Sequence, residues 1–341
     1  MIRALAVHIS YPDTLTTEWE YEARHHPGHP PRDNQDEPGD KGMREWCAGN
    51  CKEFDSGMMA MNLSENNPED AGVQSPVHFS VFNYSFRDWQ IVAIPIAAIV
   101  MAELFLYMGE PQTGITLHVI ILMGITLSSI WVRESHVSFS LQALMLLPIL
   151  RLLNISMPVF SETTLYLYIF IYTPLLIPIY FITRHQKITL KQEGFTLDKL
   201  YFYIPLALVI GYLIGVAEWY TISAGNLIPD LSLKSILQLS FIMIFFVGFV
   251  EELIFRSLLQ TRLQASFGME KGLVLASLLF GMMHSGYGTP YELLLTASAG
   301  LILGYMFQKT GSLALVSVTH GSVNVFLFGF MPFLGPGMGL L

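Results

Sequence analysis

From Asp88 onward the chain is a succession of apolar runs, each about 20 residues long and separated by short polar breaks. That is the length an α-helix needs to cross the hydrocarbon of a bilayer at about 1.5 Å of rise per residue. Spans are expected near residues 90–108, 113–132, 136–155, 163–183, 200–218, 236–256, 271–288, 291–308 and 311–330, nine in all, with eight as the close alternative. The third is the weakest, because Pro148 and Arg151 interrupt it and would tilt it or end it early. A backbone in hydrocarbon has to satisfy its own hydrogen bonds, and these runs lack the alternation of a barrel strand. The expected fold is therefore all-α, a polytopic membrane helix bundle of about eight or nine transmembrane helices.

Composition agrees, with 52% of residues hydrophobic and 13% charged, about half the usual charged share. The acidity is confined to one end. Residues 1–86 hold fourteen Asp and Glu against six Lys and Arg, whereas the rest of the chain holds thirteen against twelve. No basic stripe marks a nucleic-acid partner. The stretch HHPGHPPRDNQDEPGDKG offers almost nothing to bury, so residues 1–86 are expected to be a mostly disordered acidic tail. MIRALAVHISYPD is too short an apolar run for a signal peptide, and Met58, Met59 or Met61 is a candidate natural start. Cys47 and Cys51, near His25, His26 and His29, match no common zinc spacing.

Lys and Arg accumulate in cytoplasmic loops. With residue 87 inside, one side collects Arg87, Arg133, Arg184, Lys187, Lys191, Lys199, Arg256, Arg262, Lys271 and Lys309, and the other only Arg151 and Lys234. This predicts an integral, multi-pass protein with a cytoplasmic N-terminus and an external C-terminus, in the cell membrane if the source is prokaryotic. Of the Asn-x-Ser/Thr matches at Asn62, Asn83 and Asn154, the first two then fall on the cytoplasmic side. The basic loop RHQKITLKQEGFTLDK, residues 184–199, divides helices of 87–199 from a second module, 200–330, followed by a short tail at 331–341.

The second module carries titratable residues where hydrocarbon makes them expensive, roughly 2.5–3.5 kcal/mol each on insertion scales. They are Glu251, Glu252 and Arg256, then His284, then His320 and Asn324. Glu218, Glu270 and Glu292 sit at helix ends, where solvation accounts for them. Residues four apart share a helix face. Glu252 is thus placed to pair with Arg256, while Glu251, about 100° round the helix, is left available. His320 with Asn324, and Phe280 with His284, repeat the four-residue spacing. Taking Arg256 as the cytoplasmic end of its helix puts Glu251 roughly 7 Å inside; counting from Gly311 puts His320 roughly 14 Å inside and counting from Lys271 puts His284 roughly 20 Å inside. Each residue alone also has a bland reading, an ion pair or a histidine bonded to a neighbour; three complementary helices together favour a site.

A carboxylate facing two imidazoles and an amide can activate water and stabilise an oxyanion, which is hydrolytic chemistry. There is no HExxH, no GxSxG, no GxGD and no cysteine in the membrane part, so the nucleophile is expected to be water.

EELIFR (251–256), FGMMH (280–284) and HGSVN (320–324), in this order on successive hydrophobic helices, resemble the EExxxR, FxxxH and HxxxN motifs of the CPBP intramembrane protease family. That family includes the type II CAAX prenyl endopeptidases and the bacteriocin-processing or immunity proteins called Abi. The resemblance covers about residues 235–330. It implies that Glu251 activates the water, that His284 holds that water or a metal, and that His320 and Asn324 stabilise the oxyanion. Glu252, Arg256 and Phe280 are then supporting residues. It allows either a divalent metal such as zinc on Glu251, His284 and His320, or no metal. The implied partners are the lipid bilayer and a membrane-associated protein or peptide, a prenylated CAAX protein being one branch's substrate.

Two other functions fit the same residues. A proton-coupled transporter also needs buried Glu and His, although the paired repeats frequent in such folds are not evident. A non-catalytic immunity or scaffold protein of the same fold is the third reading.

Overall fold

A computed structural model describes residues 79–81, 84–86, 88–156, 164–196 and 200–335. The acidic tail, its cysteines and its histidines lie outside the described residues, as does the end of the chain. A two-stranded antiparallel hairpin, β1 (Phe79–Val81) and β2 (Tyr84–Phe86), precedes the helices.

Among the described residues nine helices follow. They are α1 (Asp88–Tyr107), α2 (Pro111–Trp131), α3 (Ser135–Ser156), α4 (Leu167–His185), α5 (Leu200–Ile222), α6 (Leu233–Phe267), α7 (Met269–Met282), α8 (Pro290–Thr310) and α9 (Leu313–Leu334). Eight are long and apolar enough to span a membrane; α7, at 14 residues, is the short one. The bundle is all-α apart from the hairpin, and the chain is an integral, multi-pass membrane protein.

A bilayer reverses the usual outside of a protein, so apolar side chains face outward here as well as inward. On α2, Ile120, Met123, Leu127 and Ile130 form an exposed stripe, while His118, Ile121 and Ile125 on the other face are buried. On α5, Tyr201, Phe202, Leu206, Val209 and Leu213 are turned outward; Ala207, Gly211, Ile214 and Gly215 pack inward against α9. Small residues let two membrane helices approach closely, which supplies the dispersion contacts that hold them together without a hydrophobic drive. Nearly every residue of α9 from Leu313 to Val325 is buried, which makes it the helix around which the second module packs.

Three elements depart from the sequence expectation. The third span neither breaks nor ends early: α3 is a continuous 22-residue helix with Pro148 and Arg151 inside it. Neighbouring helices can satisfy the backbone groups that a proline frees. The sixth span does not end at Arg256 but runs to Phe267, 35 residues in all, about 52 Å at α-helical rise. Arg256 is fully buried rather than at the cytoplasmic surface, and Arg151 is buried as well, so neither counts as a loop charge. The seventh ends at Met282, so His284 lies just beyond a helix end.

These changes reconcile the depths of two site residues. Gly268, with φ of 90°, turns the chain sharply from α6 into α7. Glu251 lies 17 residues before that corner and His284 16 residues after it. Both therefore sit roughly 25 Å from it.

Candidate active site

The two carboxylates occupy a single α-helical turn, Phe249–Glu252, between two π-helical stretches of α6, Met243–Gly248 and Leu253–Gln260. A π-turn accommodates an extra residue by bonding i to i+5, and such insertions are frequent at functional sites. Gly248 brings this turn against α9. A Cβ there would lie 2.8 Å from the Ser317 carbonyl oxygen, and a Cβ on Gly321 would lie 2.7 Å from Ile244 Cα. The two glycines thus permit one close crossing, next to His320.

His320 lies between the carboxylates. Its Nδ1 is 2.8 Å from Glu252 Oε1, and its Nε2 is 3.7 Å from Glu251 Oε2. An ionised Glu252 can only accept, so Nδ1 carries a proton, and Nε2 faces Glu251. Glu252 also meets Arg256 as the spacing predicts, Oε2 to Nε at 2.9 Å, in an ion pair that lies off the hydrogen-bonding direction. Both residues are fully buried.

Glu251 is not left unpartnered. Its Oε1 accepts a hydrogen bond from the hydroxyl of Tyr172 on α4, a buried residue whose ring stacks on Tyr168. Asn324, one turn along α9 from His320, is also buried.

Phe280 is the spacer of the cluster. Its ring packs edge-on against Phe255 at 5.0 Å and His320 at 5.7 Å, and lies 5.0 Å from the His284 ring. The Arg256 guanidinium sits 4.6 Å from its centroid, a cation–π contact that partly replaces absent hydrogen bonds. His284 lies beside Phe280, as the four-residue spacing predicts, although α7 has ended before it. It lies where α-helix gives way to a 3₁₀ turn, Ser285–Tyr287, and its Nδ1 is 2.9 Å from the Phe280 carbonyl oxygen. A carbonyl only accepts, so Nδ1 again carries the proton and Nε2 is the free acceptor.

A metal held by Glu251, His284 and His320 would need their donor atoms to converge. Among the described residues no three His, Cys, Asp or Glu side chains form such a ligating group. The side chains as placed do not fit that metal centre.

Other buried polar groups fall outside the sequence expectation. Glu270 is exposed, as expected at a helix end, but Glu218 and Glu292 are buried, and their carboxyls face each other within hydrogen-bonding reach. Both oxygens of Glu292 lack a donor, since two ionised carboxylates offer only acceptors. The contact becomes a hydrogen bond only when one of the two carries a proton. In the first helical group, Glu103 of α1 and Arg151 of α3 form a bidentate pair with His118 of α2 beside it. The sequence did hold a signal for this pair: each is the lone charge in the interior of its own apolar run. Tyr172 had none, being one of several tyrosines in its span.

No curated protein and no solved structure matches the chain. Residues 233–326 match the Rce1-like family model, Type II CAAX prenyl endopeptidase Rce1-like. All three motifs lie inside that segment, a little over a quarter of the chain, which is similar in sequence to the type II CAAX prenyl endopeptidases of that family.

Proposed function

We propose that the protein is an intramembrane endopeptidase that hydrolyses a peptide bond of a membrane-associated protein or peptide, using water activated by Glu251. The observation that carries this reading is the placement of His320 between two carboxylates, 2.8 Å from Glu252 and 3.7 Å from Glu251. The family match supports a protease, and prenylated CAAX proteins are the first substrates to try.

In this mechanism Glu251 takes a proton from water as the oxygen attacks the scissile carbonyl carbon, then returns it to the leaving amine. Tyr172 holds the carboxylate in place through its second oxygen. His284 Nε2, the free acceptor of its ring, orients the water through one O–H. The oxyanion is met by the Asn324 amide and by His320 in its imidazolium form, whose Nε2–H proton is taken from solvent before substrate binds; Glu252 behind the ring stabilises that cation. With Arg256 neutralising Glu252 in turn, the buried charges are arranged before substrate arrives, as electrostatic catalysis requires. Substrate would approach from the cytoplasmic side, with the N-terminus there and the C-terminus outside.

The test is cleavage of prenylated and unprenylated CAAX peptides by purified protein in liposomes, with Glu251→Gln as the control. The buried Glu218–Glu292 contact favours a second reading, a proton-coupled carrier. Substrate-driven proton flux without peptide cleavage in the same liposomes would select it.

A further inference from the structure

His284 stands on a loop residue, yet loops are the least rigid parts of a fold. Its neighbours on both sides are tied down. Arg151 donates Nε to Glu103 Oε1 at 2.8 Å and Nη2 to Oε2 at 2.5 Å, and the same Nη2 reaches the Met283 carbonyl oxygen at 2.5 Å. Ser285 Oγ donates to Glu103 Oε2 at 2.6 Å. Glu103 and Ser285 are fully buried, and Arg151 is 6% exposed. The residue before His284 is therefore bound to the arginine of the pair, and the residue after it to the glutamate.

A pair that served only to join α1 to α3 would need nothing beyond itself. Here each partner spends a further hydrogen bond on the segment 283–285, which belongs to neither helix. The Met283 carbonyl is one of those that a helix end leaves without an intrahelical donor, and Arg151 supplies it. Planar, bidentate geometry makes the guanidinium a fixed point rather than a tether. With the backbone held on both sides and Nδ1 engaged by Phe280, the direction of His284 Nε2 is set.

We propose that Glu103 and Arg151 are positioning residues for His284: a buried ion pair from the first helical group that holds the histidine's loop in register with Glu251. The proposal rests on the endopeptidase reading for the role of His284, but the placement itself is testable without turnover.

The experiment uses the full chain in liposomes or detergent. Arg151→Lys keeps the charge but cannot span Glu103 and the Met283 carbonyl with a fixed fork. Ser285→Ala removes one hydroxyl and leaves the ion pair intact. Each variant is measured for kcat and KM and for the ring signals of 15N-labelled histidine, the His284 signal being identified by its loss in His284→Gln. Groups that orient an active-site residue from behind typically cost about 10–100-fold when lost. Arg151→Lys is expected to lower kcat about 30-fold with KM unchanged, and Ser285→Ala about tenfold. Both should shift or broaden the His284 signal and leave that of His320 in place. Full kcat with an unmoved His284 signal in the two variants would overturn the proposal. So would equal disturbance of both histidines in Ser285→Ala, which marks general loosening. If Arg151→Lys does not fold, Ser285→Ala decides alone. Were wild-type protein to cleave no peptide, the endopeptidase reading would fail, and were Glu251→Gln to cleave normally, the role of Glu251 would fail, while the ring signals still decided the brace.

Discussion

Glu252 touches both Arg256, on its own helix, and His320, on α9, through its two carboxylate oxygens. It therefore joins the motif helices electrostatically as well as fixing the tautomer of the histidine. Glu252→Gln should consequently be more damaging than the loss of a spare carboxylate. Breaking a buried pair by removing one partner costs about 3–5 kcal/mol, because the remaining charge is uncompensated. The variant is expected to lose activity and melt well below the parent. Adding Arg256→Met should restore much of the melting temperature and none of the cleavage.

Tyr172→Phe removes only the hydroxyl that meets Glu251. A hydrogen bond to a charged group contributes about 1.5–3 kcal/mol, and each 1.4 kcal/mol is tenfold in rate. We expect kcat to fall at least about tenfold with little change in KM in steady-state cleavage assays, and the melting temperature to fall as well because the bond is buried.

At Gly321 a methyl group has nowhere to go, with Ile244 Cα 2.7 Å from the added carbon. Gly321→Ala should push α9 from α6, costing about 1–3 kcal/mol of stability and separating His320 from both carboxylates. Thermal unfolding and cleavage, measured together, should both decline. Ala at the exposed Gly124, where the added carbon meets nothing within 4 Å, should change neither.

The spans were legible because bilayer thickness dictates their length, and so was the Glu252–Arg256 pair, because four-residue spacing is local geometry. Where α6 ends was not. Arg256 looked like a surface anchor on the rule that charges avoid hydrocarbon, but Glu252 and the Phe280 ring give it a place inside the bundle. The helix end before His284 was hidden for a related reason: periodicity assumes that a helix continues, and α7 stops two residues short of it. Glu218 and Glu292 were discounted as solvated ends, whereas each is covered by packing that no local pattern encodes. Tyr172 reaches Glu251 across 79 residues, a relationship that only the tertiary fold creates.

Outside the spanning helices, Glu193 lies in the loop after α4, where burial pushes its carboxyl above the usual range, opposed in part by a hydrogen bond from Thr183. A carboxyl with a raised folded-state pKa contributes its full stability below the unfolded value and loses it as pH rises through the folded one. Glu193→Gln removes that loss. It should leave the melting temperature unchanged at about pH 4 and raise it by about 1–2 °C at about pH 8, a small effect because water still screens the group.

The most direct test of the account is the cleavage rate of Glu251→Gln, shown to be folded by its melting temperature, beside the unaltered protein in liposomes on one membrane-anchored peptide. The account predicts that the unaltered protein releases the C-terminal fragment and that the variant, equally stable, releases none above background. Equal rates for the two proteins would contradict it.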